Sequence, residues 1–249
     1  MLKCSSFCSV FSLLALCLLF CTAPCTAHAG ESSGLDARQK GIAAIAAQTA
    51  AGNMDKLTAN LAKGLEAGLT VSEIKEVLIQ LYAYCGFPRS LNALNAFRTL
   101  LEKRAADGIK DPAGREPSPL PADLNRTEAG ARTRAELTGR PLSAPPAPWQ
   151  TFAPAIDAFL KEHLFCDIFA RDNLDWQSRE LATISALSAM HGTSAQQKSH
   201  LAVCLNTGLS KEQLSAAADI IAEEIGSENA DVTRKVLAEV LKSRRDQRP

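Results

Sequence analysis

Residues 35–70 read LDARQKGIAAIAAQTAAGNMDKLTANLAKGLEAGLT, and residues 174–210 read LDWQSRELATISALSAMHGTSAQQKSHLAVCLNTGLS. Aligned from their Leu-Asp starts, the two stretches keep an offset of 139 residues that becomes 140 after one insertion. Ile45 then pairs with Ile184, Gly52 with Gly192, Leu61 with Leu201 and Gly68 with Gly208. One unit is present twice, and this duplication organises the chain. The copies differ in their ionisable residues, because Gly41 and Asn60 stand where the second copy has Glu180 and His200.

Around the repeat the sequence is rich in Ala, Leu, Glu, Lys and Gln and has almost no alternating β-branched runs, which predicts an all-α fold. Thr70 with Glu73, and Ser210 with Gln213, each form a capping box directly after a Gly-Leu that ends the preceding helix. Pro88 suits the first turn of a further helix, where its missing N–H costs little. Each half is expected to hold four or five helices. The segment TFAPAIDAFLKEHLFCDIFARDNLDW spaces Phe152, Ile156, Phe159, Leu160, Leu164 and Ile168 as one amphipathic helix, predicting that this face is core.

Eight of the twelve prolines lie from Pro112 to Pro148. The expected organisation is a leader at 1–29, a first repeat at 30–108, a Pro-rich linker at 109–150 and a second repeat at 151–249. The leader has Lys3, the apolar run FSLLALCLLF and the small-residue pattern Ala27-His28-Ala29, a tripartite export signal cut before Gly30. Its apolar core is too short to span a bilayer. Cys21 after Phe20 and Cys25 after Pro24 make poor lipid-attachment sites. A periplasmic or secreted product is expected.

Five of the eight cysteines leave with that leader, so Cys85, Cys166 and Cys204 remain, without the spacing of a disulfide scaffold or a zinc ribbon. Without Lys3 the charges number 26 basic to 27 acidic, which gives no support to nucleic-acid binding. No glycine motif cradles a phosphate and no convincing ligand set is visible, so neither cofactor nor metal is expected. His163 and Cys166 lie three apart but lack two further ligands.

GLTVSEIKEVLIQLYAYCGFPRSLNAL in the first copy, with RELATISALSAMHG and KSHLAVCLNTGLS in the second, closely resembles the carboxymuconolactone decarboxylase family, which shares a helical fold with alkylhydroperoxidase D. The resemblance covers most of the chain after the leader. It implies one of two chemistries: decarboxylation of lactone intermediates from aromatic-acid breakdown, or hydroperoxide reduction by a CxxC thiol pair. Against the peroxidase pattern Glu180 and His200 match, but Gly192 and Ala195 occupy the cysteine places, as Gly52 and Asp55 do in the first copy. The usual dithiol cycle therefore has no atoms to run on. Against the decarboxylase pattern E-V-L-x-H-x-x-x-Y-x-G-x-P, the chain supplies Glu76, Tyr84, Gly86 and Pro88 but has Gln80 at the histidine place, and the second copy has DIIAEEIGSEN.

The halves thus look complementary, and the resemblance implies one composite site with Glu180 and His200 from the second copy and Glu76 and Tyr84 from the first. A carboxylate beside His200 makes a general acid/base pair, while Tyr84 or backbone donors near Gly86 can hold an enolate-like charge. The simpler alternative is a hydrogen-bonded helix histidine in a packing layer. Cys204, one turn after His200, and Cys85 are candidates for a single peroxidatic thiol, against the alternative that both are small buried residues. Asp167, Arg171 and Arg179 form either a salt-bridge cluster or a carboxylate clamp, and Trp149, Trp176 and Tyr82 are packing residues.

The expectation is a cofactor-free acid/base catalyst on a small carboxylic acid or lactone. Its rivals are a thiol peroxidase and a non-catalytic binding protein. The resemblance also implies a homo-oligomer, a trimer of two-repeat chains.

Overall fold

The structure, a computed structural model, describes residues 34–246, so the expected leader at 1–29 lies outside the described residues. Within them the chain forms α-helices and one π-helix, and no strand.

The first repeat contributes α1 (Ala37–Ala51), α2 (Met54–Glu66) and a long α3 (Val71–Ala106). The second contributes α7 (Trp176–Ser188), α8 (Ser194–Asn206), α9 (Lys211–Glu224) and α10 (Ser227–Asp246). The duplication extends to the backbone. Gly52 and Gly192 have φ of 78° and 79°, Gly68 and Gly208 have 90° and 98°, and Gly86 and Gly226 have 84° and 145°, all left-handed positions where a β-carbon is disfavoured. The third pair shows that α3 is two helices in one. At Gly86 it turns sharply (φ 84°, ψ 158°), Pro88 restarts it in a first turn, and Ser90 Oγ donates to the Leu78 carbonyl across the bend at 2.8 Å. The Thr70–Glu73 and Ser210–Gln213 capping boxes are both formed.

The repeats share one core. Ile42, Ile45 and Leu61 of the first pack in the same cluster as Leu181, Ile184 and Leu201 of the second, with α1 against α7 as the central contact. Burying such side chains contributes about 1.5–3 kcal/mol each. Gly41 of α1 and Gly64 of α2 lie close together: a β-carbon at 41 would lie 3.4 Å from Gly64 Cα and one at 64 would lie 2.9 Å from Ile45 Cδ1.

The Pro-rich stretch is more than a linker. Val71 and Ser72 at the start of α3 donate to the carbonyls of Pro112 and Ala113, and Asp172 accepts from Arg115 and Ser118, so the segment is strapped to both repeats. It also folds a helix, α4 (Arg126–Thr138), whose N-cap is the Asn125 side chain. Gly130 brings α4 against the next element, since a β-carbon there would lie 1.7 Å from the Lys161 carbonyl oxygen.

The expected amphipathic helix after residue 150 is corrected in form and in burial. The chain makes two short pieces, α5 (Pro148–Phe152) and α6 (Pro154–Phe159), then a π-helix over Leu160–Ile168. Pro154 interrupts the first, and the π turn changes which side chains face inward. Leu164 and Ile168 are buried as expected, whereas Phe152, Ile156 and Phe159 are exposed, Phe152 by 91%.

Candidate active site

On α3, Glu76, Gln80 and Tyr84 follow one another at single-turn spacing and so share a face. That face meets α7, whose Asp175 N-cap fixes where Arg179, Glu180 and Thr183 fall. Helix α8 then brings His200 and, one turn on, Cys204.

His200 Nδ1 lies 2.7 Å from Glu180 Oε2, with Glu180 buried and His200 16% exposed. An ionised Glu180 accepts from Nδ1–H, which leaves Nε2 as the free, reactive nitrogen. Tyr84 of the first repeat stands edge-on to the imidazole, the ring centroids 5.5 Å apart at 80°. Its hydroxyl is buried and makes no hydrogen bond of normal geometry, although Thr183 is beside it. Burial, with the Glu180 carboxylate nearby, pushes the phenol pKa up, so Tyr84 is a neutral donor. Glu180 Oε1 is likewise buried without a partner. Two buried polar atoms therefore lie beside the histidine–carboxylate pair.

Glu76 takes a different part from the one expected of it. Its carboxylate is held by Arg171 (Nε to Oε1 at 2.7 Å, Nη2 to Oε2 at 3.1 Å) and by Arg179 (Nη2 to Oε1 at 3.0 Å). Burial raises its pKa, but the two guanidinium groups more than offset this and the net shift is downward. Arg179 also donates to Gln80 Oε1 at 3.1 Å, and Gln80 Nε2 donates to Thr183 Oγ1 at 2.9 Å and to the Arg179 carbonyl at 2.8 Å. Glu76 and Gln80 therefore tie α3 to α7 and set the register between Tyr84 and Glu180. Both arginines serve Glu76, so the salt-bridge reading of this cluster holds for them; Asp167 pairs instead with Arg126 and His163. The contribution of Gln80 and Thr183 was not visible in the sequence, where the only hint was a glutamine standing at a histidine place.

The thiols are poorly placed for nucleophilic work. Cys204 is fully buried, and burial together with the Glu180 charge pushes its pKa well up. Cys85 is half-buried, donates to the Leu81 carbonyl at 3.2 Å and has its pKa raised by burial, against a small opposing pull from Arg89. Cys166 is buried and shifted in the same direction.

A sequence profile of the carboxymuconolactone decarboxylase family matches residues 22–99 and again residues 154–239. The chain belongs to the carboxymuconolactone decarboxylase family. No curated protein matches it. The double match explains the architecture of this family member as two family units fused in tandem, with residues 100–153 between them.

The duplication also allows the two halves of this carboxymuconolactone decarboxylase-type chain to be compared atom for atom. At the offsets that align the repeats, Glu180, His200 and Tyr84 correspond to Gly41, Asn60 and Glu224. At that second locus the Glu224 side chain accepts from Asn60 Nδ2 at 2.9 Å and Gln48 Nε2 at 2.9 Å, while its backbone carbonyl accepts from Lys56 Nζ at 2.8 Å. The locus is filled by its own side chains, which join α1 and α2 to the end of α9. A side chain at position 41 is crowded, as a β-carbon there meets Leu69 Cδ1 at 3.2 Å and Gly64 Cα at 3.4 Å.

Among the described residues no group of three or more His, Cys, Asp or Glu is placed to hold a metal, and no helix is long and apolar enough to cross a membrane.

Proposed function

We propose that this protein is a cofactor-free acid/base catalyst of decarboxylase or lyase type, acting on a small carboxylic acid or lactone. The observation that carries the reading is the part-buried Glu180–His200 hydrogen bond with the buried Tyr84 hydroxyl beside it.

Loss of carbon dioxide leaves an electron pair on the α-carbon, delocalised onto the adjoining carbonyl oxygen as an enolate. The Tyr84 hydroxyl donates to that oxygen while remaining protonated. The imidazolium of His200 delivers its Nε2 proton to the carbon and recovers one from water, and Glu180 keeps the ring oriented throughout. The thiol alternative needs a thiolate, and all three described cysteines have raised pKa values.

The test is carbon dioxide release from a panel of β-keto acids and lactone acids, run beside hydroperoxide consumption with a dithiol reductant. Turnover of an acid that is lost in His200→Ala and kept in Cys85→Ser and Cys204→Ser supports the proposal. Peroxide turnover that is lost in one cysteine variant replaces it with a single-cysteine peroxidase.

Export and self-association belong to the same proposal. The tripartite leader supports the first. The exposed apolar side chains Phe152, Ile156 and Phe159 support self-association, and the family resemblance supplies the trimer of two-repeat chains. Sedimentation velocity of the mature protein checks the latter.

A further inference from the structure

The contact between α3 and α7 is a ladder of polar side chains taken in turn from the two helices. Glu76, Gln80 and Tyr84 are spaced one helical turn apart on α3, and Arg179 and Thr183 one turn apart on α7. The order of contact is Glu76, Arg179, Gln80, Thr183, Tyr84. Its first four members are buried, and it ends on the tyrosine that stands edge-on to His200.

The direction of each bond follows from the guanidinium, which can only donate. Arg179 Nη1 therefore fixes Gln80 Oε1 as its acceptor and turns the amide nitrogen to the other side. Gln80 Nε2 has two hydrogens and uses both, one on the Arg179 carbonyl and one on Thr183 Oγ1. The Thr183 hydroxyl then has one proton to place. The Arg179 carbonyl lies 2.9 Å away, but it already takes the Gln80 amide and the α7 backbone bond, which occupy its two lone pairs. Tyr84 Oη is the other oxygen beside Thr183. With Thr183 donating to it, every proton of the ladder has an acceptor of its own, and the Tyr84 proton is left for a substrate oxygen. Glutamine suits the middle of such a ladder, because its donor and acceptor ends keep their roles at every pH, whereas the nitrogens of a histidine exchange roles with tautomer and protonation.

We propose that Arg179, Gln80 and Thr183 are positioning residues for the acid/base reaction: the buried guanidinium polarises the Tyr84 O–H, through Gln80 and Thr183, towards the enolate oxygen of the substrate. Hydrogen bonds that run in one direction strengthen one another, so Tyr84 becomes a better donor while keeping its proton. The proposal rests on the Tyr84–Glu180–His200 centre being the reactive site, as argued above.

The direction of the Tyr84 bond is read without substrate. The sequence has two tyrosines, so Tyr82→Phe leaves Tyr84 as the sole phenol. The intensity ratio of the ring's Fermi doublet in the Raman spectrum rises when the phenol oxygen accepts a hydrogen bond and falls when the hydroxyl donates one. The Tyr82→Phe protein is expected to show the accepting ratio; adding Thr183→Val should abolish it and adding Thr183→Ser should keep it. Gln80 Nε2 stays bonded to the Arg179 carbonyl in Thr183→Val, which favours a folded variant. A donating ratio in the Tyr82→Phe protein overturns the proposal, and that result stands even if Thr183→Val does not fold. An unchanged ratio in folded Thr183→Val overturns it as well. On an acid that the protein turns over, Thr183→Val is expected to lower kcat about tenfold at unchanged KM, with Thr183→Ser close to wild type; an unchanged kcat in Thr183→Val contradicts the proposal. The spectrum judges the ladder and the substrate panel judges the chemistry, so the two fail separately.

Discussion

Tyr84 of the first repeat stands edge-on to His200 of the second, with the ring centroids 5.5 Å apart and the planes at 80°. Tyr84 on α3 therefore faces His200 on α8, and neither copy alone carries the arrangement. The phenol hydroxyl is buried and makes no hydrogen bond of normal geometry, with Thr183 beside it. Tyr84→Phe should lower turnover while costing no more than about 1 kcal/mol of stability, because at most a weak contact is lost. Turnover and urea unfolding measured on the same preparation check both halves; a large stability loss with normal turnover contradicts the role.

His200→Ala is expected to reduce turnover by about 10²- to 10⁴-fold, the range for loss of a general acid. Because the ring is the hydrogen-bond partner of the buried Glu180 carboxylate, its removal should also cost about 1–3 kcal/mol of stability. Steady-state kinetics beside a thermal melt decide it.

Glu76 is expected to behave as a structural residue. Removing it leaves Arg179, which is fully buried, without its counter-ion, and breaking such a pair costs about 3–5 kcal/mol. The sign with pH follows from its lowered pKa. The ion pair contributes fully above the ordinary carboxyl value of 4.5 and fades as pH falls through the lower folded value. Urea midpoints should therefore fall as the solution is acidified below that value, and Glu76→Gln should flatten this acid limb.

The thiols should be slow. With burial raising the pKa of Cys85, Cys166 and Cys204, a thiol reagent at about pH 8 is expected to label Cys85 slowly and the other two only after denaturation. Rapid labelling of Cys204 in the native protein contradicts the burial argument.

Glu224→Ala should cost about 1–3 kcal/mol by leaving Asn60 Nδ2 without its acceptor, while Gln48 Nε2 keeps the backbone carbonyl of residue 224, and should leave turnover unchanged. Guanidinium unfolding and the turnover assay check this pair of outcomes. A loss of activity would show that the filled locus takes part in chemistry.

The helical fold and the tandem repeat were legible because caps, glycines and apolar spacing are local signals: Thr70 with Glu73 and Gly68 with Gly208 read the same in sequence and structure. The Glu180–His200 bond was legible for a related reason, since the repeat itself shows which copy keeps the ionisable pair. What could not be read depends on contacts between distant segments. Glu76 matches a family pattern, yet Arg171 and Arg179 arrive from 95 and 103 residues away to hold it. Phe152 and Phe159 have helical apolar spacing, but Pro154 and the π-helix turn them outward. The correspondence of Glu224 with Tyr84 was available from the offset, and only its hydrogen bonds show what replaced the site.

The most direct test of the account is solvent exchange. A small keto acid or lactone acid that the protein turns over is incubated in deuterium oxide with wild type, His200→Ala and Tyr84→Phe, and deuterium at the carbon that loses carbon dioxide is followed by NMR. The account predicts that every product molecule carries one deuteron and that the rate at which deuterium appears falls by about 10²- to 10⁴-fold in His200→Ala and by less in Tyr84→Phe. Equal rates of deuterium appearance with wild type and His200→Ala would contradict it.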